Sequence, residues 1–279
     1  MARSNMHAQT VSGFGDEWSR FDQSALSEEE SSALFTRYFK IFPWAALPQD
    51  AQGFDLGCGS GRWARKVAPR VGKLHLIDAS FEALAVAREN LSHFPNCEFH
   101  SASVDAIPLE DESMDFGYSL GVLHHVPDTL SGIRSCVQKL KPGAPFLIYL
   151  YYRFDNRPFW FKAIWKLSDL LRRAISSLPH EARYWASQVI AALVYWPLAR
   201  TARLMAKIGF EMQSFPLSSY KNLSFYSMRT DALDRFGTRL EKRFTKQEIR
   251  EMLEKSGLEK ISFNEQSQFW CAVGFKRLS

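Results

Sequence analysis

Cysteine is scarce in this chain: four occur among 279 residues, at Cys58, Cys97, Cys136 and Cys271. No two stand at metal-ligand spacing, so no metal site is expected. Their wide separation fits free thiols in a reducing, cytoplasmic compartment rather than a disulfide framework. Long apolar runs are also missing. No stretch reaches the roughly 20 apolar residues that a bilayer-spanning helix needs. The first residues, Met1 to Asp16, are polar and contain no apolar signal core, and are read as a loose leader. Against these absences stands a hydrophobic content of 46%, enough over this length for one large core or two modest ones.

The most informative segment is Phe54 to Trp63. A short apolar strand, Gln52 to Leu56, is interrupted by one acid, Asp55. Glycines follow at alternate positions, Gly57, Gly59 and Gly61, and a helical run from Arg62 to Ala68 stops at Pro69. Glycines so spaced let the backbone turn sharply and approach a ligand without a Cβ in the way. The helix behind them aims unpaired N–H groups over the turn. The pattern predicts a nucleotide-type cofactor cradle at the carboxyl end of a first strand. A dinucleotide fingerprint would read G-x-G-x-x-G; here the third glycine comes one residue early, which disfavours NAD. An acid inside the strand also suits a cofactor with a positive group better than a pyrophosphate.

The next strand, Lys73 to Ile77, ends in Asp78, and Ser80 is placed to cap a helix over Phe81 to Asn90. An acid at that tip, about 20 residues past the loop, is placed to accept both hydroxyls of a ribose. Further strands are expected at Cys97 to His100, at Met114 to Leu120 and, after the turn Lys139 to Gly143, at Pro145 to Tyr152. Asp115 is given a structural role and Asp128 an N-cap. Strand–helix alternation in this order means a doubly wound parallel sheet.

Four segments together resemble the class I S-adenosylmethionine-dependent methyltransferases: the Asp55-x-Gly-x-Gly-x-Gly loop, Asp78, the stretch from Ser103 to Leu109, and Leu123-His124-His125-Val126-Pro127-Asp128. The last run matches the quinone-biosynthesis and natural-product small-molecule group. The resemblance implies a seven-stranded, mostly parallel Rossmann-like sheet with an N-terminal helical lid. It also implies S-adenosyl-L-methionine as methyl donor and S-adenosyl-L-homocysteine as product. Carried over residue by residue, Asp55 orients the methionyl amino group, and Gly57, Cys58, Gly59 and Gly61 form the cradle. Asp78 and Ala79 meet the ribose, and Leu120 closes the set at the fourth strand's end. The family often reads Asp-Ala-Glu-x-Leu-Pro-Phe where this chain has Ser103 to Leu109. With Ser103 in place of the leading acid, Asp105 is expected at the adenine amino group and the Val104 backbone as second contact. Cys58 is read as a small tolerated residue.

The chain divides into residues 1–50, leader and lid helices; 51–152, cofactor-binding core; 153–240, a helical insertion; and 241–279, a helix and strands completing the sheet. Ser27 to Glu30 has the form of a capping box opening a helix with Leu34, Phe35, Tyr38 and Phe39. Trp18, Phe21 and Tyr38 either line the cofactor mouth or pack on the core. A second box, Thr245 to Glu248, opens a helix ending before Gly257, followed by strands Glu259 to Phe263 and Phe269 to Phe275. The insertion carries 14 basic against 6 acidic residues, a net +8, and the remainder 21 against 24, a net −3. Trp160, Ile164, Leu167, Leu171 and Ile175 recur at helical spacing, with Lys162, Lys166 and Arg173 mostly opposite. A second run, Trp185 to Ala199, is uncharged. Three readings compete: apolar stripes packed on each other, a cap over an anionic acceptor such as a phosphorylated sugar, or a basic amphipathic surface on acidic lipid. Nucleic acid is not expected, because Ser119 to Val122 lacks the Asn/Asp-Pro-Pro-Tyr/Phe run of base methyltransferases.

An alcohol acceptor needs a base, and histidine titrates in the working range. Adjacent side chains leave a turn in different directions, so one of His124 and His125 faces the acceptor. In tandem-His sugar O-methyltransferases the second is the proposed base, which points to His125, with His124 as alternative; either could instead hydrogen-bond backbone and shape the pocket. Tyr152, Arg153, Phe154, Asp155, Asn156 and Arg157, with Tyr220, Tyr226, Arg229 and Asp231, are candidates for the acceptor pocket. The function expected is O-methylation of a sugar or natural-product hydroxyl. The alternatives are a quinone- or lipid-type C-methyltransferase at a membrane surface and a catalytically silent, cofactor-binding partner subunit.

Overall fold

The computed structural model describes residues 4–155, 157–212, 214–265 and 269–278. They fall into two compact units, the first within Met1–Gln23, Ser32–Arg153 and Leu240–Ser279, the second within Ser24–Ser31 and Phe154–Arg239.

The first unit is built on β1 (Gln52–Leu56), β2 (Lys73–Asp78), β3 (Cys97–Ser101), β4 (Phe116–Leu120), β5 (Pro145–Tyr149), β6 (Leu258–Phe263) and β7 (Cys271–Lys276). Their spatial order is β3-β2-β1-β4-β5-β7-β6. The first five run parallel and β7 lies antiparallel between β5 and β6. Every residue of β4 and all but the first of β1 are buried, as a parallel sheet covered on both faces requires. The connections leave β1 toward β2 and later return to β4 on its other side. That reversal opens a crevice beyond the carboxyl ends of β1 and β4, the position where doubly wound sheets hold their ligands.

Helices α1 (Ala8–Arg20), α2 (Glu28–Phe39), α3 (Ala64–Val67), α4 (Phe81–Asn90) and α5 (Thr129–Lys139) precede the second unit's α6 (Phe159–Ser176), α7 (His180–Ile190), α8 (Trp196–Lys207) and α9 (Phe225–Gly237); α10 (Lys246–Lys255) follows. The caps are those the residue types require. Ser80 Oγ accepts from the Ala83 N–H, Asp128 from Ser131, and Thr245 with Glu248 completes both arms of a capping box. Asp115 staples the sheet, accepting from the Gln52 N–H at 2.9 Å and pairing with Lys141 at 2.7 Å. Because Asp115 is spent in this way, β4 starts at Phe116, and Met114 makes only an isolated bridge to Leu140.

The N-terminus departs from expectation. The supposed loose leader forms α1, capped by the His7 ring, which accepts from the Thr10 N–H. Gly15 lets α1 press onto the start of α4: a Cβ there would lie 2.7 Å from Ser80 Oγ. Two glycines and a polar composition hid this helix, although Val11, Phe14 and Trp18 stand at helical spacing.

In the second unit α9 is central, and Met228, Ala232 and Phe236 pack with Ile175, Ala191, Tyr195 and Ala199. The Ser27 box closes on one arm only, through the Glu30 N–H at 3.2 Å. The Glu30 carboxylate instead caps α9, accepting from the Ser224 N–H at 3.0 Å and the Ser227 hydroxyl at 2.6 Å. The stripe expected inside α6 faces outward: of Trp160, Ile164, Leu167, Leu171 and Ile175 only Ile175 is buried. The buried side carries an ion pair, Arg172 to Asp169 at 2.7 Å, with Arg172 also donating to the Thr238 carbonyl at 2.8 Å. Asp169→Ala should therefore cost about 3 kcal/mol by stranding a buried guanidinium, read as a lower urea midpoint.

Candidate functional site

Gly57, Gly59 and Gly61 all adopt positive φ, at 75°, 54° and 77°, the left-handed region that side chains avoid. The Gly57 and Cys58 N–H groups donate to the Ile77 carbonyl, tying the turn to β2. Space is equally short: a Cβ on Gly57 would sit 2.3 Å from Val122, and one on Gly59 2.8 Å from the Trp18 indole. Asp78 joins the two parts. One oxygen accepts from the Gly59 N–H and the other from Ser80, each at 2.9 Å. Burial raises its pKa, and these amides with that of Ala79 oppose the rise.

A cavity opens over this turn, wholly within the first unit. Gly57, Cys58, Asp78, Ala79, Val104 and Leu120 line it, as does His125. Asp55, Gly59, Gly61, Asp105 and His124 are not among its lining residues. Asn5, His7, Thr10, Val11, Phe14 and Trp18, which the sequence reading did not assign beyond Trp18, form the wall contributed by α1 and the residues before it.

Asp105, expected at the adenine, is engaged by its neighbours and lies outside the cavity lining. Its carboxylate accepts from the Ser103 hydroxyl and, at 3.0 Å, from the Asn5 N–H, and the Ser103 bond leads in holding its pKa low. The Asn5 side chain exchanges two further bonds with the Asp128 backbone, at 2.8 and 2.7 Å. Ser103 and Val104 are the residues of this stretch that reach the cavity.

Asp55 lies behind the glycine turn, buried, and its Oδ2 has no hydrogen-bond partner; nor has the Tyr118 hydroxyl. Burial raises the Asp55 carboxyl to about 8, with Tyr118 and Arg62 moderating the rise and Asp78 adding to it. Burial likewise pushes the Cys58 thiol well above its ordinary value, which disfavours the reactive thiolate there.

Leu123 to His125 form one 3-10 turn, and the two imidazoles diverge. His124 is fully buried, stacks on Tyr151 with centroids 3.8 Å apart, and neither of its nitrogens is hydrogen-bonded. Burial drives its pKa far down, with His125 and Arg243 adding to the effect, so it stays neutral. His125 turns into the cavity wall, edge-on to Phe14 at 5.0 Å. Its Nδ1 lies 2.6 Å from the Leu240 carbonyl oxygen. A carbonyl only accepts, so Nδ1 carries the proton and the lone pair is on Nε2.

The expected acceptor-pocket residues are not among those lining this cavity. Tyr152 bridges to Phe244, and Arg153 donates to the Arg243 carbonyl and pairs with Glu248 at 2.9 Å. In the second unit Tyr220 meets Tyr195 edge-on, Arg229 donates to Gln188 and to the Tyr184 hydroxyl, and the Tyr226 carbonyl accepts from Thr230. Asn156 lies outside the described residues.

A doubly wound sheet whose first strand ends in a left-handed glycine turn, bound to an acid at the tip of the second, defines a nucleotide-type cofactor-binding α/β protein. Comparison with known proteins narrows this class. A family model described as a methyltransferase domain matches residues 54–148. The ubiquinone biosynthesis O-methyltransferase of Pseudomonas fluorescens is 36% identical over 169 residues, covering 55% of this chain and 72% of that one. The 2-phytyl-1,4-naphtoquinone methyltransferase of Thermosynechococcus vestitus is 34% identical over 104 residues, covering 36% and 46%. Among solved structures, phosphoethanolamine N-methyltransferase 2 of Haemonchus contortus, in complex with phosphomonomethylethanolamine and S-adenosylhomocysteine, superposes with a TM-score of 0.50. It is 18% identical and covers 91% of this chain and 43% of that one, so it shows the shared fold. The chain spans less than half the length of several of its curated relatives. It belongs to the class I S-adenosylmethionine-dependent methyltransferase family.

Proposed function

We propose that this chain transfers the methyl group of S-adenosylmethionine to a hydroxyl oxygen of a small-molecule acceptor, with His125 as general base. The observation that carries the reading is the divergence of the two histidines. His125 stands in the cavity wall with its lone pair on Nε2, while His124 is sealed behind it.

The donor fits the residues present. Asp55 offers a buried carboxylate whose desolvation outweighs the help of Tyr118 and Arg62, the complement of a cationic amino group. Asp78 accepts one N–H on each oxygen and keeps acceptor capacity for a ribose. Ser103 and Val104, which line the cavity, are the candidates we favour for contact with the adenine. When bound, the sulfonium supplies an already activated methyl group, so the protein's work is alignment and exclusion of water. Phe14, Trp18, Leu120 and Val122 give the cavity its apolar walls. His125 Nε2 takes the hydroxyl proton as the oxygen attacks, and the Leu240 carbonyl holds the tautomer and steadies the imidazolium that forms. Oxygen as acceptor is supported by the Pseudomonas relative, which is named as an O-methyltransferase. The test is methyl transfer from labelled donor to separate panels of phenols, sugars and amines. A methyl ether is expected; products methylated only at nitrogen or carbon would overturn the reading.

A further inference from the structure

The second unit is built inside out. Helix α6 buries Asp169, Arg172 and Ser176 and turns large apolar side chains to the outside: Phe159 is 84% exposed, Leu167 70% and Leu170 64%. The next helix repeats the arrangement. It runs unbroken from His180 to Lys207, long and apolar enough by length and composition to cross a bilayer. Its buried positions are mostly small or polar: Arg183, Ser187, Ala191, Tyr195 and Ala199 recur every fourth residue, and Ala202 follows after a step of three. A spacing of four overshoots a 3.6-residue turn by about 40° per step, and the wide π turn at Ala191–Tyr195 takes part of that drift back. Ala191, Tyr195 and Ala199 on this face pack with α9, while Trp185, Leu193 and Leu204 point outward, at 64%, 72% and 63% exposure.

Large apolar side chains in this number on two helices are unfavourable against water, and such patches mark binding surfaces. The charge pattern says what binds. Lys166, Arg203 and Lys207 are exposed among the apolar residues, and Glu181 is the one exposed acid between His180 and Lys207. Trp185 and Trp196 add the aromatic type that favours the headgroup boundary. A basic amphipathic face of this kind matches an anionic bilayer surface. A second copy would bring like charge against like, given the net +8 of this region. Packing of Ala191, Tyr195 and Ala199 with α9 favours a helix lying on a bilayer over one spanning it.

We propose that α6 and the His180–Lys207 helix form a docking surface for membranes containing acidic phospholipid, with the apolar side chains inserted at the headgroup boundary and the lysines and arginines on the phosphates. The proposal does not rest on the acceptor or on the general base.

The test is flotation of the full chain with vesicles, either pure phosphatidylcholine or equal parts phosphatidylcholine and phosphatidylglycerol, at physiological salt. Binding to the acidic vesicles is expected, weakening by about fivefold for each of Lys166→Gln, Arg203→Gln and Lys207→Gln. The triple variant Leu167→Gln, Leu193→Gln, Leu204→Gln should lose at least about tenfold in binding, with helicity and melting unchanged because all three sites are exposed. Absence of flotation with acidic vesicles overturns the proposal, as does flotation unaffected by the triple variant. So does a lipid-free dimer that the triple variant dissociates, which would assign the face to a second copy.

Discussion

Asp55→Asn should make the cofactor-free protein more stable near pH 8 while removing its affinity for S-adenosylhomocysteine. The ordinary carboxyl titrates at 3.8 and the buried one at about 8. Between those values the unfolded chain is ionised, while the folded chain must hold a proton or bury an uncompensated charge. The folded state thus binds the proton more tightly, and stability falls as pH rises from about 4 to about 8. At 1.36 kcal/mol per pKa unit the loss is several kcal/mol. Asparagine keeps the shape without the charge, so the variant should outlast the parent at the alkaline end and converge with it near pH 4. Adding S-adenosylhomocysteine should raise the melting temperature of the parent only, because a ligand stabilises solely the state that binds it. Melting curves at both pH values, with and without ligand, are the measurement. A variant that melts below the parent near pH 8 without ligand would contradict the role given to Asp55.

His125→Ala should lower kcat by about 100-fold or more and leave cofactor affinity, measured by calorimetry, unchanged. The His125 ring lines the cavity with Nε2 as its basic nitrogen, and the alanine variant has none. His124→Phe separates chemistry from packing. His124 is neutral, buried and stacked on Tyr151, and phenylalanine preserves the stack, so turnover should survive. Turnover lost in His124→Phe but kept in His125→Ala would exchange their roles.

Local chemistry was legible wherever a side chain acts on its own neighbours. Helix α4 runs over Phe81–Asn90 as read, because Ser80 caps it from inside the same segment. The glycine turn was legible because positive φ and absent Cβ atoms are properties of single positions. The reading failed where partners come from far along the chain. Asp105 is engaged by Asn5, 100 residues earlier. Helix α1 has weak sequence signals and is fixed by contact with α4. The α6 stripe shows that periodicity identifies an apolar face without saying which way it turns.

The sequence by itself determined the strand order's alternation, the glycine cradle and the acid at the tip of β2, since each follows from residue type and spacing. Only the tertiary structure decided which histidine enters the cavity, what covers the cradle and which side of the second unit's helices is buried. Those outcomes depend on contacts between residues far apart in the chain, and periodicity carries no direction until a partner helix such as α9 occupies one side.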